Sequence, residues 1–480
     1  MKIIIVGGGT AGWIAAYFIK KSQPQHDLTV IESSTIGIIG TGEGSTGLLV
    51  DLLSGFWFDQ KIDIQDFMEK TDSTVKMGIR HENWSKIGDS YFAPLDASPT
   101  GYKLNDYIFK YVYHKFGKEK IHLASEIGIN YENKKFDTPY ALHFNGHKVG
   151  QYFKKMCMDD GVRLIDSVLK ETILNEKGSV DAVILENDQQ IFGDFFVDCT
   201  GFNRLLMKKL DVGWKSYKDV LSVNTAMPFL VQYEKNEKII PETKATALSS
   251  GWMWNIPLTT RRGCGYVFDS NYISREQAVN EVEKYLNRKI DPIKWIEFDS
   301  GHSELFWKNN VICFGLSSSF VEPLEATSIH NTIVQIAIFV LEFLSLTQDQ
   351  TITTINQQIY NERIAFLNKL TIDFISLHYQ GGRSDTDFWK DIKLKNRITD
   401  SAKKIMDTAS CRIPGYVDLE GMYGSFSIPL VNWLLAGMDV IDQNISSKEL
   451  DKFCRYDSIE KEYNNFYQSV TNKKSYILYK

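Results

Sequence analysis

The first 32 residues constrain this chain more than any other stretch. Lys2-Ile3-Ile4-Ile5-Val6 is a continuous apolar run that breaks at once into Gly7-Gly8-Gly9-Thr10-Ala11-Gly12. Trp13 to Lys21 continues with helical spacing, and Asp27-Leu28-Thr29-Val30-Ile31-Glu32 is a second apolar run closing on a carboxylate. Strand, glycine turn, helix, strand and an acidic residue about 20 positions past the turn form the unit that binds a dinucleotide. The glycines have separate tasks. Gly7 permits the tight turn, Gly9 lets the backbone approach a pyrophosphate, and Gly12 lets the helix pack on the strand. Thr10 and Ala11 sit at the helix N-terminus, where free N–H groups face phosphates, and Glu32 is placed to accept hydrogen bonds from ribose hydroxyls. A GxGxxG string alone is weak evidence; the complete unit is specific.

Composition narrows the class. The 480 residues are enough for two or three domains. Hydrophobic content of 43% and charged content of 24% are those of a soluble globular protein. A net charge of −6 without a long basic run argues against a nucleic-acid partner. The six cysteines lie far apart, with no CxxC spacing, which argues against a zinc site and a disulfide scaffold and fits a reducing cytosol. A cytoplasmic protein with no metal is expected. The opening apolar run reads as a buried strand rather than a signal peptide. The longest apolar stretch, Ile333 to Leu346, contains Gln335 and Glu342 and is shorter than a bilayer span, so no membrane is expected.

Further along, Ile38 to Gly47 (IIGTGEGSTG) is rich in glycine and hydroxyl groups. It reads either as a surface loop or as a strap along a cofactor, with Gly42 and Glu43 touching it. Two late apolar runs, one closing on Asp198 and Gly201 and one on Gly315, bring the chain back to the cofactor. The expected fold is α/β: an FAD-binding, doubly wound fold of the flavoprotein monooxygenase kind over residues 1–345, discontinuous and with inserted β-sheet segments. A mostly helical substrate or cap region is expected over residues 346–480.

One stretch resists that outline. Gly251-Trp252-Met253-Trp254-Asn255-Ile256-Pro257 sets two tryptophans two residues apart, which suits a buried strand or a barrier inside an active site. Alongside it stand Thr74-Val75-Lys76-Met77-Gly78-Ile79-Arg80-His81-Glu82-Asn83-Trp84, then Glu322-Pro323-Leu324-Glu325-Ala326-Thr327, then DFISLHY (373–379) and RSDTDFW (383–389). With the glycine fingerprint, these five ordered motifs resemble the flavin-dependent halogenases of the tryptophan halogenase family, over nearly the whole chain.

The resemblance implies a set of roles. FADH2 from a separate flavin reductase, O2 and a halide (chloride, bromide or iodide) yield hypohalous acid, which passes to Lys76 for electrophilic attack on an electron-rich aromatic such as an indole or phenol. A lysine offers a long stem and an amine that donates hydrogen bonds or acts as a nucleophile. Glu325 lies near Lys76 and receives the ring proton. Backbone amides at Thr327 and Ser328 bind the halide, and Trp252, Trp254, Ile256 and Pro257 separate flavin from substrate. On residue type alone, Lys76 is a solvated surface lysine and SSSFVEPLEATS a plain helix entry. The chain departs from the family where Ala326-Thr327-Ser328 replaces Ser-Thr-Gly, from which an altered halide preference is expected, and where Gly44 and Gly47 loosen the strap. Tyr416, Tyr423, Phe426 and Trp433 line an aromatic pocket or belong to plain core, and no clamp for an amino-acid substrate is evident. The alternatives are an FAD-dependent aromatic hydroxylase, a non-catalytic flavin-binding module and, on the fingerprint alone, a NAD-dependent dehydrogenase. A homo-oligomer is left open.

Overall fold

The computed structural model describes all residues except 38–41, 59, 96–110, 112, 116, 119–139, 348–349, 419–425, 427, 451–456, 459, 462–463 and 466–480. The chain divides into two compact units. The first comprises Met1–Ser73, Phe144–Tyr217 and Asp299–Lys369, the second Thr74–His143, Lys218–Phe298 and Leu370–Lys480.

The first unit is built on a six-stranded sheet. Its order is Trp307–Lys308, Val311–Cys313, Phe195–Asp198, Lys2–Val6, Asp27–Glu32, Arg163–Asp166, with parallel pairing throughout except at the Trp307–Lys308 edge. Strand Lys2–Val6 lies centrally, and Ile3 to Val6 are buried. That explains a run without alternation, since a parallel strand covered on both faces has no solvent side. Helix Thr10–Ser22 packs against helix Gly146–Asp159, which Asn145 caps through its side chain to the Lys148 amide. Two small sheets complete the unit: Leu169–Leu174, Val180–Leu185 and Gln190–Phe192, and Trp214–Ser216, Gly301–Ser303 and Ser319–Phe320.

The apolar stretch judged too short for a bilayer belongs to a longer helical run, Leu324–Leu346, of 23 residues. Length alone therefore does not exclude a membrane span, contrary to expectation. The run is broken by a left-handed kink at Glu325 and Ala326 and by a π-turn over Phe339–Phe343. Its buried side chains pack within this unit: the Phe339 ring stacks on Phe195 at 5.5 Å and meets Trp307 edge-on at 5.1 Å.

The second unit carries a seven-stranded sheet ordered Ile296–Glu297, Thr225–Val231, Arg262–Phe268, Gly251–Pro257, Glu242–Leu248, Gly78–Glu82, Ser90–Pro94. All its pairs are antiparallel except Glu242–Leu248 with Gly78–Glu82. Helix Arg275–Leu286 opens with a capping box between Ser274 and Gln277. It buries Ala278 and Val282 in a cluster with Met227, Met253, Tyr266 and Phe268. Helices Asp387–Leu394, Asp400–Ala409, Ile428–Gly437 and Gln443–Leu450 follow the last turns of the long helix Gln350–His378.

Candidate active site

In the first unit the glycine turn is closed by contacts that only glycine permits. Gly7 has φ +111°, and a Cβ there would fall 2.1 Å from the Cys199 carbonyl oxygen. A Cβ on Gly12 would lie 2.0 Å from the Gly7 carbonyl oxygen, while one on Gly9 would meet nothing within 4 Å. Gly9 thus faces space kept clear of protein, at the start of helix Thr10–Ser22, whose first N–H groups have no partner within the helix. Ala11 lies beneath Gly315, whose Cβ would come 2.6 Å from its own. The Glu32 carboxylate takes a hydrogen bond from Trp13 Nε1 (2.9 Å) and pairs with Lys154. A carboxylate has about four acceptor positions, so capacity for ribose hydroxyls remains. These features fit a dinucleotide cofactor.

Asp198, expected at the cofactor, is held by the protein's own groups. Its buried carboxylate accepts from the Thr200 amide and hydroxyl (3.0 and 2.7 Å), the Ser317 hydroxyl (3.0 Å) and the Leu206 and Met207 amides (2.9 and 3.0 Å). It organises the loop at Gly201 and starts the short helix Leu205–Lys209. The described part of the strap is no solvated loop. Gly42 and Ser45 are buried, Thr46 Oγ1 lies 2.9 Å from His330 Nδ1, and a Cβ on Gly146 would meet Glu43 Oε1 at 2.1 Å. Thr10 Oγ1 donates to the Gly146 carbonyl at 2.9 Å, so the strap and the glycine turn converge on the start of helix Gly146–Asp159. Burial pushes the Glu43 carboxyl up to about 7 and the His330 imidazole down to about 4. Sequence reasoning missed His330 and Gly146, because nothing local marks either.

Glu325 and Ala326 both adopt left-handed backbone (φ +63° and +56°) immediately before helix Thr327–Ile338. Such values are uncommon outside glycine, cost about 1–2 kcal/mol per residue and cluster at functional sites. Thr327 and Ser328 lie in the first turn of that helix. Ser328 therefore has ordinary helical geometry, and the left-handed backbone falls at Glu325 and Ala326.

In the second unit Lys76 is 1% exposed, on strand Thr74–Lys76, which pairs antiparallel with Ala141–Phe144. The surface-lysine reading does not hold; fully buried lysines are rare. Trp252, Trp254 and Ile256 share one face of strand Gly251–Pro257, while Met253 points to the cluster under helix Arg275–Leu286. The tryptophan rings are 6.3 Å apart and buried, on the face opposite that cluster. Trp433 is buried on Ile428–Gly437, and Phe426 stacks on Phe374 at 4.0 Å. Tyr423 and the Tyr416 side chain lie outside the described residues.

The RSDTDFW motif has a structural task. Arg383 Nη1 donates to the Ala247 carbonyl (3.1 Å), Trp389 Nε1 to Leu248 (2.8 Å) and Thr386 Oγ1 to Ser249 (2.6 Å). Trp84, from the lysine motif, donates to Ala245 (2.8 Å). Four side chains thus hold one stretch of backbone beside the two tryptophans, since Ala245 and Ala247 are the register partners of Trp254 and Trp252.

The tryptophan halogenase family profile matches residues 2–448. The chain belongs to this family. A 7-chloro-L-tryptophan 6-halogenase of Kutzneria sp. (strain 744) is 32% identical over 434 residues, covering 82% of each chain. A tryptophan 6-halogenase of Streptomyces toxytricini is 31% identical, covering 82% of this chain and 81% of its own. Among solved structures, a tryptophan C-6 flavin-dependent halogenase from taromycin biosynthesis superposes with a TM-score of 0.89 at 27% identity, covering 99% of this chain and 97% of its own. A tryptophan halogenase from Shewanella frigidimarina gives 0.87 at 26%, covering 99% and 96%. The α/β fold is that of the tryptophan halogenases, which are flavin-dependent enzymes of the oxidoreductase type.

Proposed function

We propose that this enzyme halogenates an indole by electrophilic substitution, with Lys76 presenting the oxidised halogen to the ring. The observation that carries the reading is the complete burial of Lys76 in a chain of this family. A buried amine is shielded from bulk water, and an oxidant held there meets substrate before water quenches it.

The first unit is the flavin half, a doubly wound FAD domain in which Gly7, Gly9, Gly12, Thr10 and Ala11 hold the pyrophosphate at the helix N-terminus. Glu32 takes the ribose, Gly42 and Glu43 form the strap, and Gly315, with no side chain to meet Ala11, lets the chain close over the helix start. Asp198 holds the Gly201 loop in place for the cofactor. FAD, supplied as FADH2 by a separate reductase, would deliver two electrons to O2, which would take two more from the halide and leave it at the level of hypohalous acid. Halide binds at the Thr327 and Ser328 amides, where the helix terminus favours an anion. Chloride, bromide and iodide are all in range.

In the second unit, Trp252, Trp254, Ile256 and Pro257 shield the substrate from direct oxygenation. Glu325, a residue of the first unit, takes the proton released as the ring regains aromaticity. The tryptophan named for the relatives is the first substrate to test, with free indoles and phenols beside it. The helical C-terminal elements are assigned to substrate binding.

The test combines the protein with FAD, a flavin reductase, NADH and each halide against tryptophan, indoles and phenols, with products read by mass spectrometry. Halide-dependent product that disappears in Lys76→Ala, while flavin binding persists, is expected. Product unchanged in Lys76→Ala would sink the lysine role, and oxygenated product without halide would establish the hydroxylase alternative.

A further inference from the structure

The Lys76 strand is braced by a residue that no motif marks. His143 is fully buried and stands opposite Thr74 in the antiparallel pair, two positions from the Lys76–Ala141 register. Its Nδ1 lies 3.0 Å from Thr74 Oγ1 and its Nε2 lies 2.9 Å from Thr243 Oγ1. Thr74 Oγ1 in turn donates to the Pro257 carbonyl at 2.6 Å.

The proton count fixes every direction in this chain. A carbonyl oxygen only accepts, so the Thr74 hydroxyl proton belongs to Pro257 and its oxygen must accept from His143 Nδ1–H. Burial and the Lys76 charge keep the imidazole far below its ordinary range, hence neutral. Its Nε2 therefore carries the lone pair and accepts from Thr243. The series runs Thr243 to His143 to Thr74 to Pro257, with one tautomer and one ring orientation. Thr74 and Lys76 share a face of their strand, and Pro257 ends the tryptophan strand, so one side chain ties both motifs together.

We propose that His143 is a positioning residue for Lys76, fixing the lysine strand against the Pro257 end of the tryptophan strand through its Nδ1–H tautomer. This rests on the role given to Lys76 above. A lysine free to shift by about 1 Å would deliver its oxidant off target, and misplacement on that scale costs up to about a hundredfold.

The experiment compares His143→Phe, His143→Asn and Thr243→Val with wild type and Lys76→Ala, using bromide and the substrate the enzyme turns over. Four quantities are read: flavin Kd, melting temperature, halogenated product per NADH oxidised, and free hypobromous acid trapped by monochlorodimedone. His143→Phe is expected to keep flavin affinity while coupling falls about tenfold and trapped oxidant rises. His143→Asn, which retains a donor for Thr74, restores part of the coupling, and Thr243→Val loses a smaller part with the imidazole still present. Unchanged coupling in folded His143→Phe, or equal loss in His143→Phe and His143→Asn, would reduce His143 to packing. Should His143→Phe fail to fold, unchanged coupling in Thr243→Val overturns the brace. Full product from Lys76→Ala removes both this proposal and the lysine role. Loss of product there, with the His143 variants still coupled, removes only the brace.

Discussion

Trp254 lies directly over Gly265. The two are register partners on adjacent strands, and a Cβ on Gly265 would fall 2.1 Å from both Cζ2 and Cη2 of the indole. The missing side chain gives the ring its place, and the ring faces away from the Met253 cluster. Gly265→Ala is therefore expected to displace the indole, at about 1–3 kcal/mol of stability, with a shift in tryptophan fluorescence. Trp254→Phe is expected to remain folded. Both variants should lower the ratio of halogenated product to NADH oxidised. A normal ratio in folded protein would leave the tryptophans as sheet packing alone.

Gly9 and Gly12 separate cofactor binding from folding within one motif. Gly9 faces clear space, so Gly9→Val should keep the melting temperature within a few degrees while flavin Kd weakens at least about tenfold, a change of 1.4 kcal/mol. Gly12→Ala drives a methyl into the Gly7 carbonyl oxygen and should destabilise the protein itself, by about 1–3 kcal/mol or more. Denaturant unfolding without flavin, beside a flavin titration, reads the two effects apart. Equal loss of stability in both variants would contradict the clear space at Gly9.

The glycine turn was legible because its chemistry is local: turn, helix start and carboxylate follow one another in sequence, and so do their contacts. Lys76 and Trp252-Met253-Trp254 were legible as motifs, the tryptophan stretch also as a buried strand, but the burial of Lys76 was not. The surroundings of Asp198 were hidden for a related reason. A carboxylate after a buried strand looks available until the chain brings Ser317, more than a hundred residues away, onto the same oxygen. His143, His330 and Gly146 carry no pattern at all; long-range pairing alone joins His143 to Thr243 and His330 to Thr46. The helical run at Leu324–Leu346 shows the limit of apolarity as a signal, because a core helix and a membrane span satisfy the same count.

The carbonyl row from Ala245 to Ser249 predicts a stability phenotype for a motif that looks catalytic. Arg383 is 5% exposed and bonded to Asp385 as well as Ala247, so its planar fork has no lysine equivalent. Arg383→Lys is expected to cost about 2 kcal/mol. Trp389→Phe, which leaves the Leu248 carbonyl without its donor, should cost about 1 kcal/mol or more. Because both act on adjacent peptides, the double variant should depart from additivity. Urea unfolding of the four proteins measures this, and strict additivity would mean the two bonds act independently.

Glu43 gives a pH dependence with a definite sign. Its carboxyl titrates near 4.5 in an unfolded chain and is held up to about 7 in the folded one by burial. Between those values the native state binds more protons than the unfolded state, so stability falls as pH rises. The contribution is fully present below about 4.5 and is lost as pH climbs through about 7. His330, held at about 4 in the folded chain, adds the opposite slope where the unfolded imidazole titrates, but that contribution is common to wild type and Glu43→Gln and cancels in the comparison. Cofactor-free wild type should therefore lose up to about 1.4 kcal/mol per pH unit more than Glu43→Gln between pH 5 and 7. Parallel urea unfolding curves at several pH values test this, and identical slopes for the two proteins would show that Glu43 ionises freely in the folded state.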